Sequence, residues 1–291
     1  MKIPVLNIKQ FQSSKEVHQV YVNSFANHIK INKHLTSTPH SHNFYLCVIF
    51  TKGSGVHEID FKSYAISPGK VFFLKPGQTH FWKFKTPPNG FIFFHSKEFY
   101  EMYYLTHQLS NFPFYYSYQN PPVLELTDSS KGIEDKFREL LQEYHETQAF
   151  RNLKMVNTIN DIYITLTRAY TSTLNLADYA SVNYLIILEQ LEQYIEEYYH
   201  QEKLPKYYAG LLNITTKHLN RVTKETLNKT THQLIAERVI LEAKRLIVHS
   251  QNPLARIAEA LGFEDYAYFS RYFKKKTGTS PIDFKKSYHK I

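Results

Sequence analysis

Residues 254–286 limit what this chain can fold into more than any other stretch, because they predict two short helices joined by a tight turn. Gly262 stands where the first helix should end, in the left-handed conformation that glycine tolerates. Glu264 and Asp265 precede the second helix, where acidic side chains cap and stabilise an N-terminus. The first helix has apolar residues at the spacing of one helix face, at Leu254, Ile257, Ala258 and Leu261.

The second predicted helix begins at Tyr266 and has one apolar and one basic side. Gly278 and Pro281 end it. Its inward side chains are Phe269, Tyr272 and Phe273, and its outward ones are Arg271, Lys274, Lys275 and Lys276. Two short helices with a tight turn and a basic outer face predict a helix-turn-helix motif that reads the major groove of DNA.

The same stretch resembles the C-terminal signature of the AraC/XylS family of bacterial transcription regulators. The matching residues are Ile257, Ala258, Gly262, Phe263, Tyr268, Phe269, Arg271, Phe273, Lys274, Gly278 and Pro281. The resemblance implies a multidomain α and β protein. It would have an N-terminal cupin-like β-barrel followed by two helices, and an all-α C-terminal domain with two helix-turn-helix motifs.

The net charge of +9 is confined to one end of the chain. Residues 204–291 contain 16 Lys and Arg against 7 Asp and Glu, whereas residues 1–203 contain 19 of each class. A basic domain attached to a neutral remainder is typical of a nucleic-acid-binding module.

Length and composition indicate a cytoplasmic protein. The 291 residues suit two domains. The single cysteine, Cys47, excludes an intrachain disulfide and a Cys-rich zinc site. No apolar run approaches the ~18 residues of a membrane span, and the first residues lack the apolar core of a signal peptide. We therefore expect no membrane partner.

Short apolar runs between residues 44 and 126 predict a β-barrel or sandwich, because Gly and Pro separate them. The predicted strands are 44–50, 56–61, 71–74, 80–84, 90–95 and 123–126, with turns at Gly53-Ser54-Gly55, Pro68-Gly69 and Pro76-Gly77. Nine aromatic residues between 96 and 130 could line a pocket or fill the core, and the core interpretation is favoured. They are Phe99, Tyr100, Tyr103, Tyr104, Phe112, Phe114, Tyr115, Tyr116 and Tyr118.

The order of these turns resembles the cupin sensor domain of the same regulators, with His40, His42 and His80 in the two cupin motifs. Leu46 stands where enzymatic cupins usually have a Glu. Three imidazoles could bind Fe, Ni, Cu or Zn. Alternatively, they bond backbone groups or contact an effector. We predict no metal and no cofactor, and a small-molecule effector site formed by His40, His42, Tyr45, His80 and Trp82.

The chain divides into residues 1–130, the effector-sensing barrel, 131–174, a helical pair, 175–182, a linker, and 183–291, the DNA-binding domain. The apolar stripes of the helical pair could pack on the barrel, on each other or on a second subunit. The family resemblance favours a homodimer. The DNA-binding domain opens with a helix whose predicted outward residues are Glu189, Glu192, Glu196 and Glu197.

Residues 204–228 repeat the motif of residues 254–277 in a more divergent form. Thr223 and Asn228 stand where the family pattern usually has a buried Phe and a Gly. Between the motifs, residues 231–249 predict one helix of about 25–30 Å. This length can place two recognition helices in successive major grooves, which lie ~34 Å apart.

Arg pairs bidentately with guanine and Asn with adenine, so these residue types on a recognition helix indicate base readout. The predicted base readers are Lys217, Asn220 and Arg221 in the first motif and Tyr266, Ala267 and Ser270 in the second. Thr215, as N-cap, and Thr216, His218 and Lys224 complete the first contact surface, and Arg271 and Lys274 are predicted phosphate contacts. For both residues an intradomain ion pair is the alternative.

These features predict a sequence-specific transcriptional regulator that is not an enzyme. Its predicted partners are double-stranded DNA, a small-molecule effector, a second copy of the chain and RNA polymerase. One alternative is a cupin-type metal enzyme with an accessory DNA-binding domain, and another is an architectural DNA binder. The Leu46 position counts against the enzyme, and two defined recognition helices count against the architectural protein.

Overall fold

The computed structural model describes residues 4–12, 19–32, 38–104, 109, 112–116, 120–126, 132–172 and 182–288. Within them the chain divides into two compact units, which we call the N-terminal unit, up to residue 172, and the C-terminal unit, from residue 182. In this part of the chain, no helix is long and apolar enough to cross a membrane.

Antiparallel strands dominate the N-terminal unit. The strands are β1 (Val5–Leu6), β2 (Val20–Ser24), β3 (Ser41–His42), β4 (Tyr45–Ile59), β5 (Lys62–Ile66), β6 (Lys70–Leu74), β7 (His80–His95) and β8 (Val123–Glu125). One sheet has the order β2-β7-β4-β6-β8, with β5 paired to β4, and β1 and β3 form a separate parallel pair. The mixed fold predicted from the sequence, a β-sheet domain followed by a helical domain, is confirmed.

Two predicted chain reversals are wrong, because β4 and β7 are each one long strand. Gly53-Ser54-Gly55, predicted as a turn, lies inside β4, and the strands predicted at 80–84 and 90–95 are both part of β7. The pairing of β4 with β7 shifts register between Phe50 and Gly55, as at a β-bulge. A Cβ atom at Gly55 would lie 2.3 Å from the carbonyl oxygen of Lys83. The glycine therefore allows two backbones to approach closely and does not end the strand.

Six helices accompany these strands among the residues that the structure describes. They are a short 3-10 helix (Ile8–Phe11), α1 (Phe25–Ile31), α2 (Lys97–Glu101), α3 (Pro113–Tyr116), α4 (Ile133–His145) and α5 (Arg151–Ser172). The hydroxyl of Ser24 caps α1 by accepting from the backbone N–H of Asn27 at 3.4 Å. The two longer helices, α4 and α5, are the helical pair predicted from the sequence.

Both faces of the large sheet are buried, and alternate residues of β4 point to opposite faces. Cys47 and Ile49 belong to the outer face, which packs with α4 and α5 in one core. Leu46, Val48 and Phe50 belong to the inner face, which has its own core. On the outer face the ring of Phe93 lies 5.5 Å from that of Phe137 on α4 and 5.7 Å from that of Tyr163 on α5. Phe137 and Tyr163 of the two apolar stripes are therefore covered within the chain, whereas Leu153 at the start of α5 is 40% exposed.

Most of the described aromatic residues between β7 and β8 belong to the core, whereas Tyr103 is 38% exposed. Phe99, Tyr100, Phe112, Phe114 and Tyr115 are buried in the outer-face core. The rings of Phe73 and Phe114 stack at 3.9 Å. Of the predicted set, Tyr118 lies outside the described residues.

Helices and the short connections between them form the C-terminal unit in its described residues. Its helices are α6 (Val182–Tyr198), α7 (Pro205–Leu211), α8 (Thr216–Leu227), α9 (Thr231–His249), α10 (Leu254–Ala260), α11 (Tyr266–Thr277) and α12 (Pro281–Tyr288). One core joins them, with Leu191 and Ile195 from α6, Val239 from α9 and Phe269 from α11. The bounds of α9 are those predicted for the connecting helix.

A buried arginine fixes α6 to α9. The side chain of Arg238 bonds both carboxylate oxygens of Glu196 at 2.7 and 2.8 Å and one of Glu242 at 3.0 Å, and its guanidinium lies 4.0 Å from the ring centroid of Tyr199. Glu192 was predicted to face outward. This prediction is wrong, because Glu192 is only 6% exposed. A helix packed against two partners buries more than the half of its surface that a simple amphipathic pattern assigns.

Candidate functional site

Two helix–turn–helix hairpins, α7–α8 and α10–α11, share the geometry with which their first helix ends, although the second turn has one more residue before its cap. The turn residue is Asn213 in the first hairpin, with φ 54°, and Gly262 in the second, with φ 70°. In each, the next N–H donates back to the first helix at 3.0 Å, from Ile214 to Ala209 and from Phe263 to Ala258. Asparagine tolerates the left-handed conformation better than most residues, so the divergent first motif keeps the turn.

The caps of α8 and α11 also correspond. Thr215 accepts from the backbone N–H of His218 at 3.1 Å, as predicted, and Asp265 accepts from that of Tyr268 at 2.7 Å. At the C-terminal ends, Asn228 has φ 51° and Gly278 has φ 83°. The two departures from the family pattern are therefore accommodated: Asn228 takes the glycine conformation, and Thr223 is fully buried.

A groove of about 970 Å³ runs along the exposed side of α8. It brings together six predicted contact residues, Thr215, Lys217, His218, Asn220, Arg221 and Lys224. Thr216 is half-buried and does not line it. Glu225, Thr230 and His232 also line the groove and were not predicted. The Thr230-x-x-Gln233 capping box marks the start of α9 in the sequence, but only the packing brings it to α8.

Asn220 has a partner inside the protein. Its side-chain oxygen accepts from the backbone N–H of Thr231 at 3.0 Å, one of the N–H groups that the start of α9 leaves without a helical acceptor. At the corresponding positions of the second motif stand Ser270 and Pro281. Proline has no N–H to satisfy, which explains why Ser270 needs no such bond.

The guanidinium of Arg221 is exposed but held by its own helix. Its Nη2 atom donates to Nδ1 of His218 at 2.8 Å. Because a guanidinium only donates, the imidazole must be the acceptor at Nδ1. His218 and Arg221 therefore form one unit on the face of α8.

The exposed side of α11 carries the second set of predicted contacts. Ala267, Arg271 and Lys274 are exposed, and Tyr266 and Ser270 are half-buried. Arg271 forms no ion pair with any residue that the structure describes. Three exposed side chains extend this surface beyond the predicted set: Tyr268, which is 52% exposed, Lys275 and Lys276. Burial, and then the positive charges of Lys276 and Lys275, lower the pKa of His232.

The predicted effector residues divide between the two faces of the sheet. His40, His42, His80 and Trp82 meet on the inner face, where the imidazoles of His40 and His80 lie 4.3 Å apart. Tyr45 lies on the outer face, with its ring 5.8 Å from His95 and 5.0 Å from Tyr115. The alternation of side chains along β4 gives this outcome, since Phe44 and Leu46 face inward.

Two further histidines, His28 and His57, join the inner-face cluster and were not predicted. His57 Nε2 lies 3.0 Å from His80 Nδ1, and His28 Nδ1 lies 3.2 Å from the hydroxyl of Tyr21. His28 comes from α1, which no sequence pattern indicated. We call His28, His40, His42, His57 and His80 the histidine cluster.

Burial keeps the histidine cluster neutral. It lowers the pKa of His28 and of His42 to about 3, and repulsion from His40 adds to the effect. The pKa of His57 and of His80 lies well below the ordinary value for the same reasons. At His40 burial again lowers the pKa, opposed by the bond from its ring to the carbonyl of Thr38.

The space at the cluster is small but polar. The cavity lined by His40, His42, His80 and Trp82 has a volume of about 10 Å³, roughly that of one water. Among the described residues, four buried ring atoms there have no hydrogen-bond partner: His42 Nε2, His57 Nδ1, His80 Nε2 and Trp82 Nε1. No group of three or more His, Cys, Asp or Glu in this part of the chain is arranged to hold a metal ion.

Known protein families match both units. A model of the AraC-like ligand binding domain matches residues 26–154, and a model of a helix-turn-helix domain matches residues 208–287. The HTH-type transcriptional activator RhaS of Escherichia fergusonii is 21% identical over 253 residues, covering 84% of this chain and 86% of that protein. The arabinose operon regulatory protein of Escherichia coli is 20% identical over 243 residues, covering 83% and 80%.

Two further matches have a shorter overlap or a looser fit. The uncharacterized HTH-type transcriptional regulator YisR of Bacillus subtilis is 32% identical over 94 residues, which cover 32% of this chain and 33% of that protein. A structure of ToxT from Vibrio cholerae covers 91% of this chain and 97% of its own, at 14% identity and a TM-score of 0.44.

The enzyme alternative finds no support, because the relatives are regulators and their family is not enzymatic. The ligand-binding model falls on the N-terminal unit, and the helix-turn-helix model falls on the two hairpins with their exposed basic faces. The chain therefore belongs to the AraC family of DNA-binding transcriptional regulators controlled by an effector.

Proposed function

We propose that the chain reads an asymmetric DNA site through α8 and α11, which α9 holds apart. The observation that carries the proposal is the presence of two hairpins with matched turns and caps, each with an exposed basic face. The 19 residues of α9 span about 28 Å, close to the ~34 Å between successive major grooves. Thr215, Thr216 and Lys224 lie beside the first reading face.

We call the hairpin α7–α8 the first reading head and the hairpin α10–α11 the second. In this proposal the two reading heads contact bases with different side chains. Lys217 and Arg221 contact base edges from α8, whereas Ala267 and Ser270 do so from α11, with Tyr266 beside them. We assign Asn220 to positioning, because its oxygen caps α9 and would have to break that bond to pair bidentately with adenine. Arg271 and Lys274 bind phosphate.

Replacing Arg221 and Lys274 separates base readout from phosphate binding. Arg221→Ala should cost about 1–3 kcal/mol of binding free energy at one base position, and Lys274→Ala should weaken all sequences alike and reduce the salt slope by about one. Lys62→Ala, an exposed lysine of the N-terminal unit, is the charge-matched control. Equal losses of Arg221→Ala on specific and random DNA would exclude Arg221 as a base reader.

The measurement is a titration of the full chain against a random DNA pool at two salt concentrations, with sequencing of the bound fraction. An enriched motif of two half-sites about ten base pairs apart supports a two-headed reader. Binding without enrichment, lost as salt rises, would leave only phosphate contacts and reject the proposal.

We further propose that the N-terminal sheet is the cupin-like sensor and that its effector binds at His40, His42, His80 and Trp82. The indole N–H of Trp82 is a donor without a partner, and His42 Nε2 is an acceptor, because His42 donates from Nδ1 to the carbonyl of Phe44 at 2.7 Å. A hydroxyl group satisfies both kinds of atom. The cavity must widen to admit more than one water.

Trp82 is the single tryptophan of the chain, so its fluorescence reports this site. A monosaccharide panel is a fitting probe, because one relative is named for the arabinose operon. A sugar that binds should change the emission, and His42→Leu should weaken that response. An unchanged response in the variant, or no response to any sugar, would count against the site.

We also propose a cytoplasmic homodimer that acts on RNA polymerase. Phe150 is 80% exposed and has φ 64°, an unusual conformation for a bulky residue, and Leu153 beside it is 40% exposed. These residues form an exposed apolar patch at the start of α5, to which a second copy of the chain could bind. Sedimentation should show a dimer that Phe150→Asp weakens, and transcription in vitro gives the sign of regulation. A monomer at all concentrations would reject the dimer.

A further inference from the structure

The first turn of α6 touches the recognition helix at the residue that holds Arg221. The ring of Tyr184 lies 5.9 Å from the imidazole of His218, at 78° to its plane. The same imidazole accepts the hydrogen bond from Arg221 through Nδ1. Three side chains therefore form a row that leads from the first helix of the C-terminal unit to a base reader.

The second reading head has no such row. Fifty positions further along the chain, Tyr268 and Arg271 stand where the first head has His218 and Arg221. The ring of Tyr268 packs on Phe263 at 5.8 Å. Arg271 has no hydrogen bond or ion pair with the residues that the structure describes. The restraint on Arg221 is thus a property of the first reading head and is not shared by the helix-turn-helix motif in general.

We propose that His218 is a positioning residue that orients the guanidinium of Arg221 toward one base, and that Tyr184 orients His218. The inference rests on the proposed function, since it assumes that Arg221 reads a base. Bidentate pairing with guanine requires the plane of the guanidinium to align with the base edge. An arginine already held in one rotamer loses less side-chain entropy on binding, so the base preference sharpens.

This arrangement makes the base preference of the first head dependent on α6. Displacing the first turn of α6 frees His218 and then Arg221, whereas Arg271 keeps its own freedom. A change at Tyr184 should therefore broaden the sequence read by α8 and leave the sequence read by α11 unchanged.

The test uses the full chain with three substitutions at one position. His218→Asn keeps an acceptor at the place of Nδ1, His218→Gln moves it outward to the place of Nε2, and His218→Ala removes it. Each variant is titrated against the random DNA pool, and the bound fraction is sequenced. Thermal unfolding of each variant shows whether the fold persists.

We expect His218→Ala to lower the preference at the Arg221 base by about threefold to tenfold, the worth of one hydrogen bond. His218→Asn should restore most of that preference, and His218→Gln should not. In an Arg221→Ala background, His218→Ala should have no further effect on the preference. A merely structural role would reduce binding to all sequences and spare the preference.

Tyr184 supplies the second arm of the test. Tyr184→Phe keeps the ring and should behave as the wild type, whereas Tyr184→Ala should lower the preference at the same base. Equal preferences for His218→Ala and His218→Asn, or an effect of Tyr184→Ala on the second half-site, would overturn the inference. If the wild type enriches no motif, or Arg221→Ala leaves the motif unchanged, the proposed function fails instead.

Discussion

Lowering the pH from about 7.5 to about 5.5 should unfold the N-terminal unit, because its buried histidines cannot take up protons while folded. Burial lowers the pKa of His28 and of His42 to about 3 and that of His95 to about 4. The pKa of His57 and of His80 is also far below its ordinary value. In the unfolded chain an imidazole titrates near pH 6.5.

The sign of the effect follows from these values. Between about pH 6.5 and the pKa values of the folded state, these histidines bind more protons in the unfolded chain than in the folded one. The free energy of unfolding, which is highest above about pH 6.5, therefore falls as the pH is lowered. At pH 5.5 each of His28, His42 and His95 costs about 1.4 kcal/mol, about 4 kcal/mol for the three together. The lowered pKa values of His57 and His80 add to this loss. A typical free energy of unfolding is only about 5–15 kcal/mol.

The emission of Trp82 follows this transition selectively, because the single tryptophan lies in the N-terminal unit beside the histidine cluster. Denaturant titrations at several pH values give the free energy of unfolding of that unit. His57→Leu is the matched variant and should reduce the steepness of the pH dependence by up to one proton. A free energy that stays constant between the two pH values would contradict the prediction.

Gly262→Ala should lower the free energy of unfolding of the C-terminal unit by about 3–5 kcal/mol. DNA binding should be lost together with the fold of that unit. The residue has φ 70°, which an alanine adopts only with strain. A Cβ atom there would lie 2.0 Å from the carbonyl oxygen of His200, just beyond α6. The same turn is held by Lys203, whose Nζ donates to the carbonyl of Gly262 at 3.2 Å and lies over the ring of Phe263.

Gly278→Ala is a close control, because it introduces the same backbone strain at a positive φ but no steric clash of the new Cβ atom. Its φ is 83°, and a Cβ atom there would meet nothing within 4 Å. It should cost only about 1–2 kcal/mol. Urea unfolding followed by the helical circular dichroism signal measures both variants. Similar losses in the two would mean that the contact with His200 is unimportant.

The helices of the C-terminal unit were predictable from the sequence because their determinants are local. The apolar spacing of Leu254, Ile257 and Leu261, the cap residues and Gly262 fall within a few turns of one another, so each segment specifies its own helix ends. The basic surface of α8 and α11 follows from the same spacing. The length of α9 was likewise set by a capping box at Thr230 and a continuous apolar stripe.

The tertiary structure alone decided which of these side chains have partners. Asn220 has the residue type of a base reader, but its oxygen caps a helix that begins eleven residues later. Glu192 was predicted to face solvent and is buried, because α6 packs against several helices at once. Sequence spacing gives the face of a helix but not the number of neighbours that the face meets.

In the N-terminal unit the sequence indicated the apolar strand segments between residues 44 and 126, and long-range pairing decided how they join. Gly53-Ser54-Gly55 has the composition of a turn, but β7 lies so close to it that only glycine fits, so the strand continues. His28 and His57 reach the same cluster as His40 and His80 from separate elements, which no local pattern can indicate. The sequence by itself therefore determined the two kinds of domain and the exposed basic faces of α8 and α11, because turns, caps and charge act locally. The composition of the histidine cluster was left to contacts between elements far apart in the chain.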